Sequence, residues 1–427
     1  MRFARWLAAS LLLMAAWTGV LLFGTTEGWF REPLAPAGDV GSFMDEAVAY
    51  LKANEPANIA FVLVKGGRVF DAYYSGQLGP DTLFPVASMS KWFTAYGVMT
   101  LVQAGKIDLD APISTYLTRW KLPDAGFGGV PVTTRSLLSH TAGLTDGLGF
   151  ADYTADERVP ALVETLDRPR ASSGQPVVIR VGRTPGSEFE YSGGGYLILE
   201  LLVEEVSGLR FADYMQQAVF APLGMTRSTY DFLGDRENIA ASLTADGEVA
   251  PFYRYAAAGA TGLATSANDL LRFMQAQLPS AEAAPLSRDT VQKMRAPEAS
   301  QLGLPIWGLG TILYGAAHGG DFVFGHGGQN EPAINSEARL NPETGDAILV
   351  LVTGDRSLAT RLGFLWTFWQ TGRPDVFGLG AEIQRVLPWI GLGLLAIALA
   401  TGIGFWRTLR IQALRATPGA HRGMPGR

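Results

Sequence analysis

At 427 residues, 48% of them hydrophobic and with a mean hydropathy of +0.14, the chain can bury one large core or two ordinary ones and is more apolar than a soluble protein needs to be. It holds 34 Lys and Arg against 40 Asp and Glu, a formal net charge of -6 at pH 7, and no cysteine. Without thiols, disulfides, thiolate metal ligands and cysteine nucleophiles are excluded, and the histidines at 140, 318, 326 and 421 fall in no His/Asp/Glu cluster at metal spacing, so neither a metal nor another cofactor is expected.

The apolar excess sits at the two ends. Trp6 to Phe23 carries no charge and follows Arg2 and Arg5; Val386 to Trp406 is likewise uncharged and precedes Arg407, Arg410 and Arg415. Each is long enough to cross hydrocarbon, at roughly 27 to 31 Å of helix. Residues 1–24 are therefore expected to be a transmembrane anchor or signal, 25–38 a linker, 373–385 a second linker, 386–406 a transmembrane helix and 407–427 a basic tail. Arginines without acids at both ends predict that both stay in the cytoplasm, with residues 39–372 outside it, periplasmic or otherwise extracytoplasmic. No small-x-small pair sits just after Phe23, and Ala35-Pro-Ala37 is too distant, which favours an uncleaved anchor over a signal peptide. The seven arginines of the ends leave 27 basic against 40 acidic residues between them, or -13, a balance that argues against nucleic acid as a partner.

Beyond the linker, Met44 to Ala53 has helical periodicity. Ile59 to Val64 and Val69 to Ser75 read as strands joined by a Lys65-Gly-Gly-Arg68 turn. In Phe84 to Ala104 apolar residues recur at Trp92, Phe93, Ala95, Val98, Met99 and Val102. The spacing predicts a buried helix whose first turn carries Ser88 and Lys91 on one face, a candidate nucleophile and base near the helix dipole's positive end.

Thr133 to Leu138 suggests a helix ending at Ser139-His140, and an apolar helix is expected from about Leu197 to Val206 after Tyr191-Ser-Gly193-Gly-Gly. Another runs from Asn268 to Gln277, capped at Ser266 or Asn268. Gly310–Tyr314, Phe322–His326, Ala333–Leu340 and Ala347–Thr353 are strand-like, and Leu362 to Gln370 closes the region as an amphipathic helix. Strands at both ends of the central region around a helical middle imply one sheet assembled from distant segments, with a cleft beside the helical insertion at about 105–305.

Singly, the candidate residues are ambiguous: a Ser-x-x-Lys arises often by chance, Tyr191 and His326 suit packing roles, His140 reads as structural and His318 as loop. Together, Ser88-Met-Ser-Lys91, Leu137-Leu-Ser-His-Thr-Ala-Gly143-Leu144, Tyr191-Ser-Gly193, Pro222-Leu-Gly-Met225, Gly262-Leu-Ala-Thr-Ser-Ala-Asn-Asp269-Leu270 and His326-Gly-Gly328 resemble, in order and spacing, the serine β-lactamase-like family, with class C β-lactamases, esterases and D-aminopeptidases as the nearest kinds. The resemblance covers about residues 40 to 370. It implies an α/β (α+β) fold, an antiparallel sheet flanked by helices with an all-helical region inserted.

For the site, the resemblance implies Ser88 as the acylated nucleophile, Lys91 within reach of its hydroxyl, Tyr191 as a proton shuttle and His326 on a strand lining the cleft. The backbone N–H groups of Ser88 and Gln329 would form the oxyanion hole, and Gly193, Gly327 and Gly328 would line the substrate cleft. Either Lys91 or Tyr191 could be the base, since burial disfavours an ammonium and a neighbouring cation favours a phenolate.

One departure carries weight. The family's second motif usually ends in asparagine, and here that place is Gly193, which removes a polar clamp on the substrate's acyl-side amide. The expected activity is therefore hydrolysis of small-molecule esters, small amides or peptides by a protein held in the bilayer through its terminal helices. The alternative is a catalytically weak or inactive module that binds a cell-envelope ligand or membrane partner.

Overall fold

The apolar run from Ile59 to Val64 is unbroken because the strand it forms is covered on both faces. The computed structural model describes the chain apart from residues 1, 55–56, 124–125, 128, 148–151, 172–174, 232–237, 282–283 and 417–427. The part of the expected basic tail from residue 417 onward lies outside the described residues. Two units result, 1–32 with 377–427 and 33–376.

The elements in chain order begin with α1 (Arg2–Thr26), α2 (Val40–Lys52), β1 (Asn58–Lys65), β2 (Arg68–Tyr74), β3 (Phe84–Pro85) and α3 (Ser90–Gln103). The helical middle follows as α4 (Thr134–Leu138), β4 (Asp152–Tyr153), α5 (Leu162–Asp167), α6 (Gly193–Ser207), α7 (Phe211–Met215), β5 (Arg254–Tyr255), α8 (Ala258–Thr261), β6 (Ala264–Thr265), α9 (Ala267–Gln275) and α10 (Arg288–Met294). The remainder is β7 (Ala299–Gln301), β8 (Leu304–Trp307), β9 (Ile312–Ala316), β10 (Phe322–Asn330), β11 (Ile334–Asn341), β12 (Asp346–Thr353), α11 (Leu358–Thr371) and α12 (Leu379–Ala416).

An 8-stranded antiparallel sheet runs β2-β1-β12-β11-β10-β9-β8-β7, so the first hairpin joins the last strand, as the sequence led one to expect. Alternation along β1 sorts side chains between two cores. Ile59, Phe61 and Leu63 pack with Phe43 and Leu51 of α2 and Trp366 of α11. Ala60, Val62 and Val64 face Trp92 and Phe93 of α3 and Phe273 of α9. Phe93 and Phe273 stack at 3.9 Å between ring centroids, a contact that adds about 0.5–1.5 kcal/mol to the area each ring buries. Because α3 lies between the sheet and the helical middle, it is buried around most of its circumference.

Gly97 has a specific packing role there: a Cβ at this position would lie 2.4 Å from Met215 Sδ, so the Met215 side chain of α7 packs directly on the α3 backbone and a larger residue would have to displace it. The structure also adds what periodicity did not show. The β7–β8 hairpin is too short to alternate visibly, α6 begins at Gly193 instead of near Leu197, and α12 is continuous from Leu379.

In the smaller unit, α1 and α12 pair antiparallel. Ser10 Oγ is 3.2 Å from Thr401 Oγ1, Trp17 Nε1 donates to Trp389 O at 3.2 Å, and Leu21 packs with Val386 and Ile390. Leu11, Leu12, Leu13, Leu392, Leu395 and Leu399 point outward. Both helices are long and apolar enough to cross a membrane.

Candidate active site

Ser88 sits just before α3, in a 3-10 turn over Ala87–Met89, rather than in the helix's first α-helical turn. Ala87 adopts φ 48, a left-handed conformation that a residue with a Cβ occupies only under constraint. The constraint is visible. Ser90 Oγ donates to Ala87 O at 2.6 Å and accepts from Leu263 N at 3.0 Å, while Val86 O accepts from Ser336 Oγ of β11 at 2.8 Å. The turn is thus pinned by its own helix, by the Gly262-Leu263 segment and by the sheet.

Lys91, 2% exposed, donates from Nζ to Ser88 Oγ at 3.2 Å and to Ala260 O of α8 at 2.9 Å. No carboxylate lies in ion-pair contact with it among the described residues. Burial pushes its ammonium down to about 7, against a smaller opposing pull from Asp146. Burial raises the pKa of the Tyr191 hydroxyl, and the Ser88 hydroxyl opposes that rise more weakly. The Tyr191 ring faces the same ammonium, with Nζ 5.0 Å from its centroid.

His326 comes from β10, 1% exposed, with Nδ1 2.6 Å from Gly327 O. That carbonyl can only accept, which assigns the proton to Nδ1 and leaves Nε2 buried without a partner among the described residues. Desolvation pushes this imidazole down to about 3, reinforced by Lys91, so it is neutral through the physiological range.

The remainder of β10 explains its glycines. A Cβ at Gly328 would stand 2.1 Å from Val86 O and 3.0 Å from Met89 N, so the strand touches the Ser88 turn directly. β9 pairs with β10 only as far as Gly325, and from His326 to Asn330 the second edge has no strand partner among the described residues. Gln329 lies on this open edge, beside Gly328, so an extended substrate can lie along it. Gly193 is buried at the first position of α6.

Ser88, Lys91, Tyr191 and His326, drawn from three distant stretches, are therefore brought together. Two residues that the sequence reading did not assign to the site join them. Asp146 accepts from Ser192 Oγ in a short hydrogen bond and from Gly194 N at 2.9 Å, holding the Tyr191-Ser-Gly turn from below; desolvation raises its pKa. The available signal was the acid beside Gly147, two residues beyond the Gly143-Leu144 that the motif reading used. Ala260 contributes only a carbonyl, which no side-chain pattern can announce.

His140 has the structural role expected of it: Nδ1 accepts from Ser192 N at 3.1 Å and the ring lies 4.3 Å from that of Tyr191. Burial lowers its pKa, with Lys91 adding to the effect. His318 falls in a turn between β9 and β10. Among the described residues no group of three or more His, Cys, Asp or Glu side chains is arranged to hold a metal.

Comparison with known proteins gives the family and the fold. A family model described as Beta-lactamase matches residues 44–363, well over half of the chain. Penicillin-binding protein 4* of Bacillus subtilis (strain 168) is 32% identical over 151 residues, 35% of this chain and 31% of that protein. Among solved structures, the octameric penicillin-binding protein homologue from Pyrococcus abyssi superposes with a TM-score of 0.63 at 23% identity, covering 79% of this chain and 78% of that one. The D-amino acid amidase from Ochrobactrum anthropi SV3, complexed with D-phenylalanine, does so with 0.58 at 23%, covering 83% and 99%. The chain spans about a third of the length of the curated relatives it matches. The structural likenesses, at these identities, speak for the fold.

Proposed function

The chain belongs to the Beta-lactamase family of serine hydrolases, and from that premise we propose that it is a membrane-tethered, extracytoplasmic hydrolase that cleaves esters or small amides and peptides through an acyl-Ser88 intermediate. The observation that carries the reading is the state of Lys91. A lysine buried without a carboxylate partner, pushed down to about 7 and 3.2 Å from a serine hydroxyl, is an amine ready to accept that hydroxyl's proton.

Lys91 Nζ takes the proton from Ser88 Oγ as the oxygen attacks the substrate carbonyl. The oxyanion that forms is held by the N–H groups of Ser88 and Gln329, preorganised because the Ser88 turn and β10 are packed against each other. Tyr191, kept a neutral phenol by burial, relays the proton from Lys91 to the departing alkoxide or amine. Water then attacks the acyl carbon, giving up its proton along the same relay, and the product acid leaves Ser88 free. His326, neutral and fixed by Gly327 O, lines the cleft without adding charge.

The tether rests on α1 and α12, whose apolar side chains face outward and whose antiparallel pairing carries both chain ends to one side of a bilayer. The absence of a side chain at Gly193 favours esters and small acyl donors over β-lactams, since no amide clamps the acyl side.

The test is covalent labelling of the full-length protein in detergent with a fluorophosphonate and, separately, a labelled penicillin, with Ser88→Ala as control. A Ser88-dependent fluorophosphonate adduct with little penicillin adduct is expected. No Ser88-dependent adduct from either reagent refutes the reading.

A further inference from the structure

The tip of the β7–β8 hairpin is apolar, exposed and held in a conformation its sequence disfavours. Gln301 pairs with Leu304, which leaves Leu302 and Gly303 as a two-residue loop with φ of 51 and 80. A turn with positive φ at both positions ordinarily takes Asn, Asp or Gly, and a leucine at the first is opposed by its own Cβ. Leu302 is nevertheless 98% exposed and Leu304 41%, so burial within the fold does not compensate. The surroundings carry no charge that would oppose leaving water: from Ala299 to Gly320 there is no Asp, Glu, Lys or Arg. Glu298, just before the hairpin, is paired with Arg135 at 2.7 Å, and Arg295 with Asp321 at 3.0 Å. Single exposed leucines are ordinary; two on one uncharged tip, one of them in a turn that disfavours it, call for a role outside the fold.

The base of the same hairpin is where the chain leaves for α12. Val376 N donates to Tyr314 O of β9 at 2.9 Å, and Val376 packs on the cluster of Ala299, Ile306 and Trp307. Only Phe377 and Gly378 stand between Val376 and Leu379, the first residue of α12, and three steps of extended chain span at most about 10–11 Å. Ala299 and Leu302 are three strand residues apart, about 10 Å, and Leu379 and the uncharged stretch from Val386 are seven helical residues apart, about 10.5 Å. Chain connectivity alone therefore keeps the tip within reach of the surface at which α12 would enter hydrocarbon. The hairpin is also a wall of the catalytic site: the Trp307 ring of β8 lies 5.7 Å from that of Tyr191 and 5.4 Å from that of His326.

Resting on the reading of α1 and α12 as membrane spans, we propose that the β7–β8 hairpin is a bilayer-docking element, with Leu302 and Leu304 seated among the lipid headgroups and upper acyl chains. Its partner is the lipid surface itself, met through apolar contact and not through charge, because the tip has none to offer an anionic headgroup. Docking fixes the Trp307 wall, and with it the mouth of the cleft, at a set height above the bilayer, where the connection through Phe377 and Gly378 alone would leave it free to turn.

The protein has no cysteine, so a single introduced thiol can carry a nitrobenzoxadiazole fluorophore at one chosen place. Full-length Gln301→Cys reports from the hairpin, Leu395→Cys from the outward face of α12, and Glu248→Cys from an exposed turn elsewhere in the larger unit. Each is reconstituted into phosphatidylcholine vesicles, with and without phosphatidylglycerol, containing nitroxide-labelled lipid as quencher. The Gln301 probe should be quenched at least half as strongly as the Leu395 probe, with or without the anionic lipid, and the Glu248 probe hardly at all. Adding Leu302→Asn and Leu304→Ser should bring the Gln301 probe down to the Glu248 level. Asparagine suits the turn, so that protein should melt no lower than Gln301→Cys alone, and the same pair should leave Leu395 quenching unchanged. With the Leu395 probe quenched, weaker quenching at Gln301, quenching that persists in the Asn/Ser protein, or quenching that requires phosphatidylglycerol each overturns the docking role and leaves the tether standing. If the Leu395 probe is not quenched, the tether reading fails and this inference falls with it.

Discussion

The tightest geometric demand in the site is at Gly328, and Gly328→Ala tests it. An added Cβ would meet Val86 O at 2.1 Å, Ser336 Oγ at 2.7 Å and Met89 N at 3.0 Å. Ordinary contact begins near 3.4 Å, so the shortfall against Val86 O is about 1.3 Å, and that oxygen is held in place by Ser336 Oγ at 2.8 Å. The strand has to retreat from the nucleophile turn by about 1 Å, carrying the Gln329 N–H with it. A displacement of that size in a reacting geometry costs on the order of 100-fold, and loss of one oxyanion donor costs about 100- to 1,000-fold. Overpacking would also destabilise the fold by about 1–3 kcal/mol. The assay is the second-order rate of fluorophosphonate labelling at Ser88, read beside a thermal melt. Gly315→Ala is the control, since its Cβ on β9 lies 3.9 Å from Thr367 Cγ2 in ordinary contact. The expected result is a roughly 100-fold slower rate in a Gly328→Ala protein that still melts cooperatively, with Gly315→Ala close to wild type. A folded Gly328→Ala within threefold of wild type would show that β10 does not set the oxyanion geometry.

Two further outcomes follow from charge. The labelling rate should rise with pH through an apparent pKa near 7 as Lys91 loses its proton, and Asp146→Asn, by removing a negative charge that favours the ammonium, should move that limb to lower pH by up to about one unit; a limb that stays in place or moves upward contradicts the assignment. A reporter fused after Arg427 should be cytoplasmic, as one fused before Met1 should be, and exposure of either outside the cytoplasm overturns the two-anchor topology.

The sheet and the nucleophile region were readable in the sequence for a physical reason. Strands buried on both faces give unbroken apolar runs, as at Ile59–Val64 and Ala347–Val352, and α3 shows its apolar periodicity however much of it is buried. What escaped the reading depends on backbone, not side-chain pattern. Ser88 precedes the α-helix because Ala87 takes a left-handed conformation, and alanine gives no hint of that. The four residues by which α6 begins early are Gly193, Gly194, Gly195 and Tyr196, and three glycines in succession predict no helix. They are helical because Ser192 caps Gly195 N and Asp146 takes Gly194 N, contacts made across 46 or more residues of sequence in the case of the aspartate.

The same distinction resolves what Gly193 means for the lysine. A motif that lacks its asparagine looks, in sequence, like one whose lysine has lost a partner. Lys91 nevertheless has a second acceptor, Ala260 O, and that carbonyl is held by an arrangement behind α3: Gly259 N donates to Glu200 Oε2 at 2.8 Å and Gly259 O accepts from Thr94 Oγ1 at 2.7 Å. Glu200 is buried and pushed up to about 8 by desolvation, so at neutral pH it is largely a neutral carboxyl behind the lysine. A backbone acceptor orients the amine while leaving it free of an ionic partner, which keeps its pKa depressed. The orientation of Lys91 thus rests on a backbone carbonyl and not on a side chain at position 193, and in the proposed reaction the glycine there bears on the space open to substrate while Ser88 and Lys91 keep their geometry.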